Sequence, residues 1–335
     1  MSKPAPADTK LVLYASHPFT LWRPPPELAE LIRRRWPELR VLHLTRGEDV
    51  TAEIPDTDIF VGIQLRPEQF QLARRLKWIH STAAGVRQLM YPELRDSGIV
   101  LTNASGVHAI PMAEHVVGMM VALAHDFPGA MRNQLRSRWA QQEMWDGPAR
   151  PVELFGRVAL LIGFGAVGRA VAERLRPFGM SVWAVTRSGN ADPALAARVF
   201  SAPELDSALP GADFVVLAAP QTPETHHMIG ERQLALMKPS AFLINVARGS
   251  LVDEPALLAA LKRRGIAGAG LDVAAEEPLP ASSPLWSLEN VLITPHTSGI
   301  SIRLWEREGE LLLDNLERWF SGRALRNQVD LARGY

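Results

Sequence analysis

Residues 160–189, "LLIGFGAVGRAVAERLRPFGMSVWAVTRSG", pass from a short apolar run through three glycines into a segment of helical period and then a second apolar run. Gly163, Gly165 and Gly168 stand in GxGxxG spacing, directly after "RVALLI" and before "RAVAERLRPFG". Strand, glycine turn and helix in that order make a dinucleotide cradle. Gly163 permits the tight turn, Gly165 admits a pyrophosphate to the backbone, and Gly168 lets the helix pack closely on the strand. The helix N-terminus adds amide donors and positive potential for phosphate oxygens. Phe164, Ala166 and Val167 fill the remaining turn positions and belong to the same candidate cofactor site. A methyltransferase pocket is the main competing reading, and it too usually carries an acid at the end of the second strand.

That acid would accept hydrogen bonds from a ribose 2′-hydroxyl about 20 residues after the glycines. Here the second run ends "VWAVTRS", which puts Thr186, Arg187 and Ser188 in its place. A carboxylate repels a 2′-phosphate, whereas a hydroxyl and a guanidinium donate to its oxygens. The expectation is a preference for NADP(H), with NAD(H) as the alternative. The competing reading makes Arg187 a solvated loop charge and the site indifferent to the extra phosphate.

Length and composition bound the rest. A chain of 335 residues holds roughly two domains at about 150 residues each. Lys plus Arg equal Asp plus Glu at 36 each, so no global field attracts nucleic acid or an anionic membrane, and a small-molecule partner is expected. "MSKPAPADTK" lacks the apolar core of a signal peptide, and runs such as "VVGMMVALA" are too short to span a bilayer. The expectation is a soluble, cytoplasmic protein. The sequence has no cysteine, which excludes disulfides, thiolate metal sites and cysteine nucleophiles.

Short apolar runs alternate with helix-period segments along the whole chain, the pattern of α/β units around parallel sheets. The first group is "KLVLYAS", "RVLHLT", "DIFVGI", "KWIHST" and "GIVLTN". An amphipathic stretch from about Pro111 to Trp139 follows, then a polar loop, "QQEMWDGPARPVEL", that reads as a domain boundary. After the glycine unit come "DFVVLAA", "AFLINVA", "GAGLDV" and "NVLITP", and finally a strongly helical segment, "SIRLWEREGELLLDNLERWFSG". Two α/β domains with parallel sheets, Rossmann-like or flavodoxin-like, are predicted.

Polar stretches stand at or just after three of the later runs: "LINVARGSLVDE", "GLDVAAEEPLP" and "VLITPHTSG". Open α/β sheets bind ligands at such strand ends. With the glycine motif, and with "LKWIHSTAAGV", "PQTPETHHMIG" and "ASSPLW" in order, the chain resembles the D-isomer-specific 2-hydroxyacid dehydrogenase family, including glyoxylate and hydroxypyruvate reductases. The resemblance implies a substrate domain of residues 1–103 plus 298–335, a dinucleotide-binding domain of residues 104–297, and a cleft between them.

The resemblance also assigns roles. Arg248 in "NVARG" matches the arginine that binds the substrate carboxylate and polarises its carbonyl, which suits a permanently charged planar guanidinium. His296 in "TPHTSG" matches the general acid that protonates the carbonyl oxygen and, in reverse, the base. Glu277 in "AAEEPLP" matches its carboxylate partner, since an anion favours the charged form of an imidazole. Asp272 in "GLDV" matches a cofactor-side aspartate. Pro220, Thr222 and Pro223 in "PQTPET", with Val246 and Ala247 before Arg248, match loops beside the cofactor. The backbone of Ala84, Gly85 and Val86 in "STAAGV" matches the loop receiving the substrate carboxylate, and Asn103 matches the entry to the inter-domain region. Read alone, each of these residues is an ordinary surface charge or loop residue; their common placement at strand ends of a dinucleotide-type chain joins them.

No metal is expected: His226 and His227 are adjacent, so their side chains should diverge, and His108 and His115 lack an H-E-x-x-H arrangement. Formate dehydrogenases of this superfamily carry glutamine at the position of Glu277, and many phosphoglycerate dehydrogenases carry an additional regulatory domain. The reading is therefore reduction of a small 2-oxo acid to its D-2-hydroxy acid, with a glyoxylate or hydroxypyruvate reductase as the nearest type. An NAD(H)-sensing corepressor of the same fold is the alternative. The resemblance implies a homodimer, with residues 108–150 as the contact.

Overall fold

Parallel strands joined by helices form the framework of the chain in a computed structural model that describes residues 4–147 and 150–334. Two compact units result, Met1–His108 with Ser301–Tyr335, and Ala109–Ile300. The chain crosses at 108/109 and 300/301, a few residues later than the crossings at 103 and 297 that the sequence suggested. Pro148 and Ala149 of the expected boundary loop, and Met1–Lys3 of the N-terminal segment, lie outside the described residues.

In the first unit the order is β1 (Lys10–Tyr14), α1 (Pro26–Arg35), β2 (Arg40–Leu44), α2 (Gly47–Glu53), β3 (Ile59–Val61), α3 (Pro67–Leu72), β4 (Trp78–Ser81), α4 (Pro92–Arg95) and β5 (Val100–Asn103). The sheet runs β2-β1-β3-β4-β5 and all its ladders are parallel. Buried on both faces, the strands are continuous apolar runs, as parallel sheets require.

The second unit holds α5 (Ala109–Ala124), α6 (Phe127–Leu135), α7 (Gln141–Asp146), β6 (Val158–Ile162), α8 (Ala166–Leu175), β7 (Ser181–Thr186), β8 (Arg198–Ser201), α9 (Leu205–Ala208), β9 (Phe214–Leu217), α10 (Glu231–Leu236), β10 (Phe242–Asn245), α11 (Glu254–Lys262), β11 (Gly268–Leu271) and β12 (Val291–Ile293). Its sheet order is β12-β11-β10-β9-β6-β7-β8. Strand β6 pairs with both β7 and β9, so the winding reverses there and the crevice outside the ends of β6 and β9 is the ligand position of a doubly wound sheet.

The stretch expected as one amphipathic segment from Pro111 to Trp139 is two helices. Asp126 turns the chain with φ of 49°, a conformation aspartate tolerates better than most side chains. Its carboxylate then accepts from Gly129 N at 3.0 Å and caps α6. The polar loop "QQEMWDG" contains α7. Strand β8 was not foreseen; it is a short edge strand whose Arg198 guanidinium lies 4.5 Å from the Trp183 ring.

The final helix, α12 (Leu304–Ser321), returns to the first unit and buries Leu312 and Leu316 against Leu28, Ala29 and Ile32. A buried polar chain also joins it to the sheet. Trp78 Nε1 donates to Thr102 Oγ1 at 2.8 Å, His80 Nδ1 lies 2.8 Å from the same oxygen, and His80 Nε2 lies 2.8 Å from Glu308 Oε1.

The glycine turn after β6 shows why each glycine is there. Gly163 has φ of 94°, and a Cβ on it would stand 2.6 Å from the Ala218–Ala219 peptide. A Cβ at Gly168 would strike the Gly163 carbonyl, whereas one at Gly165 would meet nothing within 4 Å. Gly163→Ala is expected to destabilise by about 1–3 kcal/mol, and Gly165→Ala to stay within about 0.5 kcal/mol of the parent protein. Thermal melting separates the two, and equal effects would contradict this account of the turn.

Candidate active site

The candidate residues of the second unit gather at the carboxyl ends of its strands. Gly165 is exposed and Ala166 and Val167 are half-buried. The amides of these three residues donate no hydrogen bond among the described residues. Free donors, a helix N-terminus and open space over Gly165 fit a pyrophosphate, and the turn therefore fits a dinucleotide cofactor. Phe164, Val246 and Ala247 have buried side chains, so they can offer a ligand only backbone.

Thr186 ends β7 as expected, but its hydroxyl closes a local turn. It donates to Asn190 O at 3.2 Å and accepts from Asn190 N at 3.0 Å. Beside it Arg187 and Ser188 are exposed. Across the loop after β9, the Thr225 hydroxyl donates to Pro220 O at 2.8 Å and accepts from Thr222 N at 2.8 Å. Glu224 there is held below the usual carboxylate range by the Thr222 hydroxyl first, with Arg187 contributing through its charge.

Arg248 follows β10 on a braced turn. Asn245 at the strand end donates to Arg248 O at 2.9 Å and accepts from Ala247 N at 3.0 Å. The exposed guanidinium bonds Ala247 O at 2.6 Å through Nη1 alone, so its other donors are available to a planar anion. The next residue, Gly249, packs so tightly on the Ala274–Ala275 peptide that no Cβ would fit.

His296 and Glu277 meet: His296 Nδ1 lies 2.6 Å from Glu277 Oε2. Glu277 Oε1 accepts from Ala274 N at 3.2 Å, so both oxygens of the carboxylate are oriented. His296 itself has φ of 54°, and its amide donates to Asp272 O at 2.8 Å. This half-exposed pair leaves Nε2 facing away from the carboxylate.

Asp272 is 1% exposed, and its carboxylate accepts from Thr294 Oγ1 at 2.6 Å, Thr297 N at 2.8 Å and Ser298 N at 3.0 Å. The side chain is engaged in holding the turn that carries His296. His115 on α5 completes the arrangement from 2.9 Å off Thr294 Oγ1. Because the Thr294 hydroxyl proton goes to Asp272, His115 Nε2 is the donor in that contact. Burial alone raises the Asp272 carboxyl, but the donors from Ser298, Thr294 and Thr297 outweigh it and hold it below the usual carboxylate range.

His226 and His227 do not diverge; their rings stack at 3.9 Å. The positive φ of His227, 51°, turns its side chain back over its neighbour. Among the described residues there is no group of three His, Cys, Asp or Glu side chains able to hold a metal, and no helix is long and apolar enough to cross a membrane.

In the first unit, the loop after β4 carries Ala84, Gly85 and Val86. Their amides donate no hydrogen bond among the described residues, and the Val86 side chain is buried. Asn103 fixes the loop by donating to Ala84 O at 2.8 Å. Beside it the buried Thr82 Oγ1 has no partner among the described residues. Thr82, like Asn245, Thr294 and Ser298, was not singled out in the sequence, where a hydroxyl or amide at a strand end has no distinctive signature; His115 was weighed there only as a metal ligand.

Residues 117–298 match the family described as "D-isomer specific 2-hydroxyacid dehydrogenase, NAD binding domain". Glyoxylate reductase of Thermococcus gammatolerans is 36% identical over 86% of this chain and 86% of its own length. D-3-phosphoglycerate dehydrogenase of Methanocaldococcus jannaschii is 32% identical over 85% of this chain, which spans 54% of that protein. The D-isomer specific 2-hydroxyacid dehydrogenase of Xanthobacter autotrophicus Py2, solved in complex with NADPH and MES, aligns with a TM-score of 0.82 at 29% identity, covering 98% of this chain and all of that one.

The chain belongs to the D-isomer specific 2-hydroxyacid dehydrogenase family. It is an oxidoreductase that uses a nicotinamide cofactor on 2-hydroxy acids.

A depressed Asp272 carboxyl contributes stability that is full above the unfolded carboxylate value, about 3.9, and is lost as pH falls through its lower folded value. Asp272→Asn is expected to lose roughly 2–3 kcal/mol at neutral pH, where charged hydrogen bonds are broken. The deficit should shrink in denaturation series taken below about pH 4. A deficit unchanged by pH would contradict the assignment.

Proposed function

We propose that this dehydrogenase reduces a small 2-oxo acid of the glyoxylate or hydroxypyruvate type to the D-2-hydroxy acid, preferring NADP(H) to NAD(H). The observation that carries the reading is the 2.6 Å contact between His296 Nδ1 and Glu277 Oε2, at the same end of the sheet as Arg248 and the glycine turn. A nicotinamide cofactor in that turn, held by the amides of residues 165–167, supplies the hydride. Arg248 grips the substrate carboxylate with its unengaged donors and draws electron density from the adjacent carbonyl. His296, charged, releases the Nε2 proton to the carbonyl oxygen as negative charge develops there. Glu277 on Nδ1 fixes the ring, and in the oxidative direction neutral Nε2 takes the proton back.

Steady-state assays with glyoxylate, hydroxypyruvate, pyruvate and phenylpyruvate test the substrate reading. The two smaller oxo acids are expected to give the highest kcat/KM, and phenylpyruvate as the best substrate would contradict it. Arg248→Ala should raise KM and lower kcat together, since it removes both binding and polarisation.

The cofactor preference rests on Arg187 and Ser188 at the end of β7, where no carboxylate stands to repel a 2′-phosphate; the Xanthobacter relative was solved with NADPH. Arg187→Ala should lower kcat/KM for NADPH about tenfold, the loss of roughly one charged hydrogen bond, and leave NADH unchanged. A parent enzyme that favours NADH would overturn the preference.

A homodimer is part of the proposal. Phe127, Met131, Leu135 and Trp139 recur every four residues along and just beyond α6 and are 49%, 62%, 87% and 94% exposed. An apolar stripe of this length suits a self-complementary interface. Sedimentation should show a dimer that Leu135→Glu dissociates, and a monomeric parent protein at micromolar concentration would contradict it.

A further inference from the structure

Two successive peptides, Val273–Ala274 and Ala274–Ala275, form a junction on which three parts of the site converge. Gly249, next to Arg248, lies against one side of it with no room for a Cβ. The Ala274 amide donates to Glu277 Oε1 at 3.2 Å. The Ala275 amide donates at 3.1 Å to Glu254 Oε2, from the first residue of α11.

Glu254 is held firmly where it acts. Asp253 caps α11 by accepting from Ala256 N at 3.1 Å, which fixes the first turn of the helix. The carboxylate then reaches out of the helix to the junction. Consecutive amides are thus bound by two different carboxylates, one from α11 and one from the partner of His296. A shift of the Ala274–Ala275 peptide would be carried through the Ala274 Cα to the preceding Val273–Ala274 peptide, whose N–H donates to Glu277, and Glu277 would in turn release the His296 ring.

From this linkage we infer that Glu254 is a positioning residue for the Glu277–His296 pair, acting through the Ala274–Ala275 peptide; the inference rests on the reading of His296 as proton donor. What it requires of residue 254 is reach with an acceptor oxygen, and not charge. Glu254→Gln keeps both the length and a carbonyl acceptor. Glu254→Asp keeps the charge, and the favourable acid at a helix N-terminus, but falls one methylene short.

The test compares the two variants in reductive turnover at saturating oxo acid, with melting temperature and NADPH dissociation constant measured alongside. Glu254→Gln should stay within about twofold of the parent kcat, whereas Glu254→Asp should lose about 10- to 100-fold, the scale of a misplaced catalytic group. KM, NADPH affinity and melting temperature should be nearly unchanged in both. In a Glu277→Ala background, Glu254→Asp should cost nothing further, because the group it positions is gone. Retained turnover in Glu254→Asp, a greater loss in Glu254→Gln, or an undiminished loss in the Glu277→Ala background would overturn the inference. His296→Asn is the control that separates the two readings. If it turns over at the parent rate, the proton-donor reading fails and this inference with it; if it is inactive while Glu254→Asp is not, the inference alone fails.

Discussion

The buried Asp272 carboxylate is the constraint on which the arrangement of the site depends. A carboxylate this deep is costly unless its oxygens are filled, and here the fillers are Thr294, Thr297 and Ser298. Satisfying one charge at the end of β11 therefore determines the path of the chain beyond β12. His296 lies inside that path, in a left-handed conformation at φ 54° that an isolated loop would avoid. The electrostatic requirement of one buried residue thus sets where the His296 imidazole stands.

Around that point the second unit uses backbone contacts too close for any side chain. Gly163 against Ala218–Ala219 shapes the cradle at the switch point, and Gly249 against Ala274–Ala275 couples the Arg248 turn to the Glu277 turn. Both occur at the carboxyl ends of neighbouring parallel strands. The sheet supplies the rigidity, and the loops inherit it through these junctions.

Much of the fold was legible in the sequence because parallel strands buried on both faces are continuous apolar runs. The pattern failed where that signal is weak. Strand β8 offers only Val199 and Phe200 between polar residues, and the break between α5 and α6 depends on a positive φ at Asp126 that composition does not reveal. Arg248, Glu277 and His296 were found through their motifs, and the structure brings the last two into contact. The hold of Asp272 on the His296 turn was not legible, because a motif identifies a residue and not the direction its side chain takes. The stacking of His226 on His227 and the reach of Glu254 to Ala275 are consequences of backbone path, which sequence spacing does not carry.

The account's central claim is that His296, held by the Asp272 turn and partnered by Glu277, delivers the proton that accompanies reduction. The most direct measurement is single-turnover stopped flow on His296→Asn preloaded with NADPH and mixed with glyoxylate. The account predicts an unchanged NADPH dissociation constant and a fall in the rate of NADPH oxidation of about 100-fold or more, the range of general acid catalysis. Oxidation at the parent rate would contradict it.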